Sequence, residues 1–417
     1  MAQSLVGSTP KLAQADLQRE GMKDSKQLFR TLVIANLFLY FGFNVWRALF
    51  NNFAVEEIGV TATQIGMIQS LREVPGLMGF LLGFVAIWLS EMRILGLSVL
   101  LMGLGMITTG WANGLGSLIL GAMVMSVGFH WFYPSSSSVV LMGASKEDAP
   151  KVLGRLRGVA AFAAVAGTLV VWLFVDGLEL GSLTIEPWGY RTTLFVTGGI
   201  VIAGSFFSLR NGRRQGAQKE KRKVIFRRDY WLYYLLTFMM GSRRHIFTTF
   251  AIFMLVQVYG ISVRDTALLF MVNSLISAFV LPQLGKLVAR FGERKVLTFN
   301  FAGLIFVFLG YAWISYLPVL YALFVLDHIF FGFNLALESY FQKIAHSREE
   351  ITSNVSMGQT INHVSALVVP VLGGILWEQI APSATFLAGV LIAIISLVLV
   401  QFIRTGPAPT PAPVPVD

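Results

Sequence analysis

The segments GFVAIWLSEMR (83–93) and GKLVARFGERK (285–295) are two versions of one short sequence, 202 residues apart. Each opens on a glycine at the end of an apolar run and closes on a basic residue before the next run. Two further pairs keep the same order. RALFNNF (47–53) returns as RHIFTTF (244–250) at an offset of 197, and SKED (145–148) returns as SREE (347–350), again at 202. Short insertions absorb the drift. Three matches in order along the chain read as an internal duplication.

What is duplicated follows from composition. Of 417 residues, 55% are hydrophobic and only 13% charged, and the mean hydropathy is +0.69. A soluble domain carries roughly 25% charged residues. Long apolar runs between short polar breaks imply a polytopic helical membrane protein, because a helix satisfies its own backbone in lipid. Twelve spans can be read, at about 30–53, 62–88, 93–112, 115–142, 152–176, 188–209, 230–257, 263–285, 295–314, 317–342, 353–377 and 383–404. The longest polar break, RNGRRQGAQKEKRKVIFRRD (210–229), divides them six and six. The expected organisation is a lead-in (1–29), a six-helix bundle (30–209), a basic central loop (210–229), a second bundle (230–404) and a Pro-rich tail (405–417). The lead-in is polar, without a signal-peptide core, and is expected to be solvated; the tail has no apolar period and is expected to be disordered.

Charge placement orients the chain. Of 32 Lys and Arg, 26 fall on the side that holds both termini and the 210–229 loop, and two, Arg191 and Arg264, fall on the other. By the positive-inside rule the basic side is cytoplasmic, as expected for a bacterial inner-membrane protein. The net charge of +10 is therefore an orientation signal and not a nucleic-acid footprint. The chain has no Cys, which excludes disulfides and thiolate chemistry. It has no G-x-S-x-G, HExxH or phosphate loop, so neither an enzyme, a bound cofactor nor a metal is expected. A monomer is expected.

With six spans per copy, both copies insert the same way, and parallel repeats place a binding site near mid-depth between them. GKLVARFGERK resembles the loop between the second and third helices of each half in the major facilitator superfamily. Gly285, Gly292, Arg294 and Lys295 stand where that motif has them; its usual Asp falls on Ala289, and in the first copy on Ile87. The resemblance implies two pseudo-symmetric six-helix bundles, transport by alternating access, and a gating role for Gly285, Gly292 and Arg294.

Residues i, i+4, i+7 and i+11 share one helix stripe. In span one the stripe is Tyr40, Asn44, Arg47 and Asn51; in span seven, Thr237, Gly241, Arg244 and Thr248. Span ten gives Asp327, Phe331, Asn334 and Glu338, and 201 residues earlier span four gives Ser126, His130, Tyr133 and Ser137. The resemblance makes spans one, four, seven and ten the lining of the central path, where the spacing alone puts these polar stripes. A charge at the centre of a lone helix costs about 2.5–3.5 kcal/mol, so the arginines are expected to face a cavity or a partner. Asn44, Asn51 and Thr248 could equally bond between packed helices, and Arg243 and His245, about 100° to either side of Arg244, point elsewhere.

Two guanidinium forks facing across the two-fold axis suit phosphate or carboxylate, since arginine stays charged and bonds oxyanions bidentately. The pattern is similar to the organophosphate:phosphate antiporter branch, which also has one arginine on its first and one on its seventh helix. Substrate binding is expected at Arg47, Arg244, Asn44, Asn51, Tyr40, Thr248, His130, Tyr133 and Asn334. Aromatic lining is expected from Tyr40, Phe43, Trp46, Phe50, Trp131 and Tyr133. Asp327, Glu73, Arg72, Glu338, His130, His328 and His363 are candidates for proton coupling or gating, with Gln359 as further polar lining. Pro75 beside Arg72 and Glu73 can kink span two. The leading expectation is a secondary transporter of a small anion. The alternatives are a proton-driven exporter of hydrophobic cations, with Asp327, Glu73 and Glu338 as counter-charges, and a non-transporting membrane sensor or partner.

Overall fold

The computed structural model describes residues 9–79, 81–143, 148–181, 183–210 and 226–404. It is an almost wholly helical membrane protein: the described residues form fourteen α-helices, and nine helical segments among them are long and apolar enough to cross a membrane. The first half contains α1 (Thr9–Asn52), α2 (Ala62–Leu77), α3 (Leu81–Trp88), α4 (Glu91–Gly110), α5 (Leu115–Gly143), α6 (Ala149–Phe174) and α7 (Gly189–Arg210). The second contains α8 (Trp231–Gln257), α9 (Val263–Phe291), α10 (Glu293–Trp313), α11 (Leu317–Phe331), α12 (Asn334–Ile344), α13 (Arg348–Gln379) and α14 (Pro382–Val400). A two-stranded hairpin, β1 (Leu178–Leu180) with β2 (Leu183–Ile185), joins α6 to α7. Most of the central loop (211–225), the tail (405–417) and SKED apart from Asp148 lie outside the described residues.

Three elements differ from the sequence reading. The first helix starts at Thr9, so the polar lead-in continues span one as helix. Span two is split into α2 and α3. Pro75 lacks the N–H that would continue the ladder, and one turn later the chain tightens, with Gly79 N–H bonding the Gly76 carbonyl at 3.1 Å. Span ten is split into α11 and α12 at Gly332 and Phe333, again through three-residue turns. The stripe from Asp327 to Glu338 is therefore not one helical ladder: Phe331 ends one helix and Asn334 begins the next.

The duplication extends into the turns. GVTATQ (59–64) follows span one and GISVRD (260–265) follows span seven, at an offset of 201. Gly59 and Gly260 adopt φ of 72° and 62°, conformations that only glycine takes without strain. Each is followed by a hydroxyl N-cap. Thr61 accepts from Gln64 N–H at 3.3 Å and Ser262 from Asp265 N–H at 3.1 Å. Each cap satisfies one of the orphan N–H groups of the next helix.

The halves join at the end remote from the basic face. Asn52 Nδ2 donates to the Ile261 carbonyl at 2.9 Å, and Thr266 Oγ1 donates to Asn52 Oδ1 at 3.0 Å. Thr63 N–H donates to Glu378 at 2.8 Å, and Arg264 donates to the Gly177 carbonyl. Here α2 and α13 cross with backbones touching. A Cβ on Gly66 would lie 2.2 Å from the Pro370 carbonyl oxygen, and one on Gly374 would lie 2.5 Å from that of Ala62. Small residues permit this approach in membranes. At the basic end, no hydrogen bond or ion pair joins the halves among the described residues. The polar pairs there, Lys343–Glu293 and Arg227–Glu350, both at 2.7 Å, lie within the second half. Among the described residues, the polar contacts between the halves thus gather at the remote end and at mid-depth.

The Gly374→Val variant should force the remote end apart. Overpacking costs about 1–3 kcal/mol, so a single cysteine at Ile261, buried at 4% exposure in this end, should label about tenfold faster with an impermeant maleimide. An unchanged rate would show that this contact does not hold the end closed.

Candidate functional site

Arg47 on α1 and Arg244 on α8 both sit inside the molecule. The Nε of Arg47 is buried without a hydrogen-bond partner, so this arginine does not snorkel to the surface. Its guanidinium stacks on Phe270 of α9 at 4.3 Å, with Phe43 at 5.9 Å. Arg244 stacks on Phe331 at 4.5 Å. Among the described residues neither has a carboxylate within ion-pair distance. Arg47, Arg72 and Arg244 lie within electrostatic reach of one another. A ring against one face of a guanidinium contributes about 0.5–2 kcal/mol and leaves the N–H edge available to an oxyanion.

Next to them a polar cluster bridges the halves at mid-depth. Glu73 of α2 accepts from or shares a proton with His363 Nδ1 of α13 at 3.0 Å, and His130 Nε2 of α5 lies 3.7 Å from the same oxygen. The two imidazoles meet edge-to-face at 5.2 Å. Gly76, one turn beyond Glu73, makes room for them: a Cβ there would lie 2.4 Å from His363 Cε1 and 2.8 Å from His130 Cδ2. Arg72 lies 3.8 Å from the other Glu73 oxygen and over the Trp46 ring. The Ser126 hydroxyl bonds the Arg72 carbonyl, tying α5 to the weakened turn around Pro75. Donor atoms of Glu73, His130 and His363 lie within 4.8 Å of one another, which makes them the one candidate metal triad among the described residues. The adjacent guanidinium groups oppose a dication at this position.

The flanking residues behave differently. Arg243 pairs with Asp327 at 2.9 Å, and its side chain is fully buried. His245 bonds Asn362. His328 shares a 2.6 Å hydrogen bond with Ser277. The balance in this interior is four guanidinium groups (Arg47, Arg72, Arg243 and Arg244) against two carboxylates (Glu73 and Asp327), an excess of two positive charges.

The other sequence candidates spread out. Tyr40 packs edge-on against Phe129 and Phe132. Tyr133, 56% exposed, lies within electrostatic reach of it. Asn334 donates to Glu338 at 3.1 Å, and Glu338 is exposed. The Thr248 hydroxyl bonds the Arg244 carbonyl. Asn44 is buried, bonds the Tyr40 carbonyl at 2.8 Å and faces Gly167 of α6, so it serves helix packing. Asn51 is buried with Oδ1 unbonded. Trp46 and Phe50 are core residues stacked at 4.2 Å, with the Trp46 indole N–H donating to Thr109; they do not line a path. In the 285–295 segment, Gly292 has φ of 79°, a Cβ on Gly285 would meet Leu335 at an ordinary 3.7 Å, and Arg294 bonds Gln401 of the same half.

The sequence profile of the Major Facilitator Superfamily matches residues 32–353. The chain belongs to that superfamily. It is an integral, multi-pass membrane transporter and not an enzyme. No curated protein sequence matches it. Among solved structures, the nucleoside transporter NupG is similar over 90% of this chain and 97% of its own, at TM-score 0.70 and 15% identity. A bacterial homologue of the human lysosomal transporter Spinster, in an inward-facing and occupied conformation, is similar over 92% of this chain and 98% of its own, at TM-score 0.71 and 14% identity. These likenesses establish the superfamily fold.

Within that fold the Arg243–Asp327 pair is a packing element of the second half. Removing one partner of a buried pair costs about 3–5 kcal/mol, whereas an apolar replacement of both is often neutral. Arg243→Met should lower the unfolding midpoint in detergent, and Arg243→Met with Asp327→Leu should recover most of the loss. A double variant no more stable than the single one would refute this assignment.

Proposed function

We propose that this superfamily member carries a small organic or inorganic anion bearing phosphate or carboxylate, bound between Arg47 and Arg244 and moved by alternating access. The observation that carries the reading is the excess of two guanidinium charges at the junction of the halves, on side chains with no carboxylate of their own. An uncompensated charge in a low-dielectric interior is expensive, and an anion would offset both charges at once. With the basic face taken as cytoplasmic, the contacts gathered at the remote end favour an inward-facing arrangement.

Coupling is assigned to Glu73. It is the carboxylate that contacts both halves, through His363 on one side and His130 on the other. Asp327 is held within the second half by Arg243. Protonation of Glu73 would weaken its hold on His363, so a proton could accompany the separation of α2 from α13. The same contacts disfavour the cation-exporter alternative. Glu73 and Asp327 both have cationic neighbours already, and Glu338 stands apart with Asn334. A nucleoside, the cargo of one structural neighbour, is uncharged at neutral pH and would leave both arginines unmatched.

Purified protein should be stabilised thermally by organic phosphates or carboxylates, and not by organic cations or nucleosides. A hydrogen bond to a charged group is worth about 1.5–3 kcal/mol, so Arg47→Gln and Arg244→Gln should each weaken binding by about 10- to 150-fold. Wild-type affinity in Arg244→Gln would overturn the anion site. In proteoliposomes, Glu73→Gln should keep solute exchange yet lose accumulation driven by a pH gradient; retained accumulation would remove Glu73 from coupling.

A further inference from the structure

A second site lies away from the central arginines, on the outer surface between α8 and α13. A groove of about 460 Å³ is walled by Trp231, Leu235 and Phe238 of α8 and by Ile361 and Val364 of α13, with Arg228 beside its mouth. Its volume falls within the range of about 300–1,000 Å³ usual for small-molecule sites.

Two observations fix what surrounds it. From the groove toward the remote face, α13 exposes Val364, Val368, Leu372 and Ile375, a continuous apolar stripe. In a membrane-spanning helix such a stripe is covered by acyl chains. At the other end, exposed Trp231 and Phe226 stand beside consecutive arginines at the start of α8, the aromatic and basic signature of a membrane–water boundary. The groove therefore runs from headgroup depth into the hydrocarbon of the basic-face leaflet.

The two arginines at its mouth are not equivalent. Arg227 is committed to Glu350 at 2.7 Å. The Glu350 carboxyl is held below the ordinary carboxylate range, first by the Tyr230 hydroxyl and further by the His346 N–H and Arg227. Arg228 has no acidic partner among the described residues. The stretch 210–229 that leads into it carries nine Lys and Arg, a density that attracts anionic headgroups.

We infer that this groove is a site for one anionic phospholipid of the basic-face leaflet, with its phosphate on Arg228 and an acyl chain between α8 and α13. Occupancy would brace the helix that carries Arg244 against the helix that carries His363. The inference stands apart from the anion reading, since no groove residue belongs to the central site.

Tryptophan quenching tests it on the full chain in nanodiscs. The protein has nine Trp, and Trp231 is the one in the groove. Phosphatidylglycerol with brominated acyl chains, titrated into a phosphatidylcholine background, should add a saturable quenching component that is lost in Trp231→Phe. In Arg228→Gln the half-saturation should rise about fivefold, the equivalent of one basic contact to a headgroup. Val364→Phe, which fills the groove, spares Arg228 and adds no tryptophan, should abolish saturation. Equal quenching by brominated phosphatidylcholine and phosphatidylglycerol, or undiminished saturation in Val364→Phe, would overturn the site and leave only bulk lipid contact.

Discussion

Two arginine charges without carboxylates organise this protein. Burying one guanidinium is tolerable where an acid or a ring meets it, as Asp327 meets Arg243 and Phe331 meets Arg244. Phe270 and Phe331 contribute cation–π attraction but no negative charge. The remaining imbalance must be supplied from outside the chain or sustained at the expense of stability. In a two-fold arrangement the same imbalance recurs on both sides of the axis, so one anion between the halves can relieve both. On the proposed anion reading this would link binding to the relative position of the halves, which alternating access requires.

The interface carries the complementary constraint. Its remote end is sealed by backbone contact at Gly66 and Gly374 and by hydrogen bonds from Asn52 and Thr63. None of these groups titrates in the range where cells operate. At mid-depth the join is instead an acid and two imidazoles. Steric contact makes the sealed end a stop, whereas the Glu73 cluster can change its strength with one proton. Pro75 and the broken turn beyond Leu77 lie within a turn or two of that cluster, so the segment that bears Glu73 is also among the least regular parts of the first half.

Much of this was legible in the sequence where periodicity carries it. The six-plus-six division, the stripe bearing Arg47 and its copy bearing Arg244, and the separate role of Arg243 all follow from helical spacing. What periodicity misses is how helices distant in sequence meet. Glu73, His130 and His363 come from three crossings, and no local pattern announces that their side chains converge. Asn44, on the stripe, packs against α6, and Trp46 and Phe50, expected only as aromatic lining, are core residues. One further signal lies in the turns. The glycine, β-branched residue and hydroxyl cap of GVT at 59–61 and GIS at 260–262 repeat the duplication in backbone geometry.

The copies have also diverged in a way that separates the two tasks. Arg47 and Arg244 are equivalent by offset, but the position equivalent to Arg243 is Trp46, and the one equivalent to Asp327 is Ser126. The second half thus fixes its lining helices with a buried ion pair, while the first uses an indole bonded to Thr109 and overlaid by Arg72. Glu73 has Leu275 at the 202-residue offset, and His363 has Ala161. Binding groups retained in both halves and titratable groups retained in one are what a carrier needs if its cargo bridges the axis and its coupling acts across a single seam.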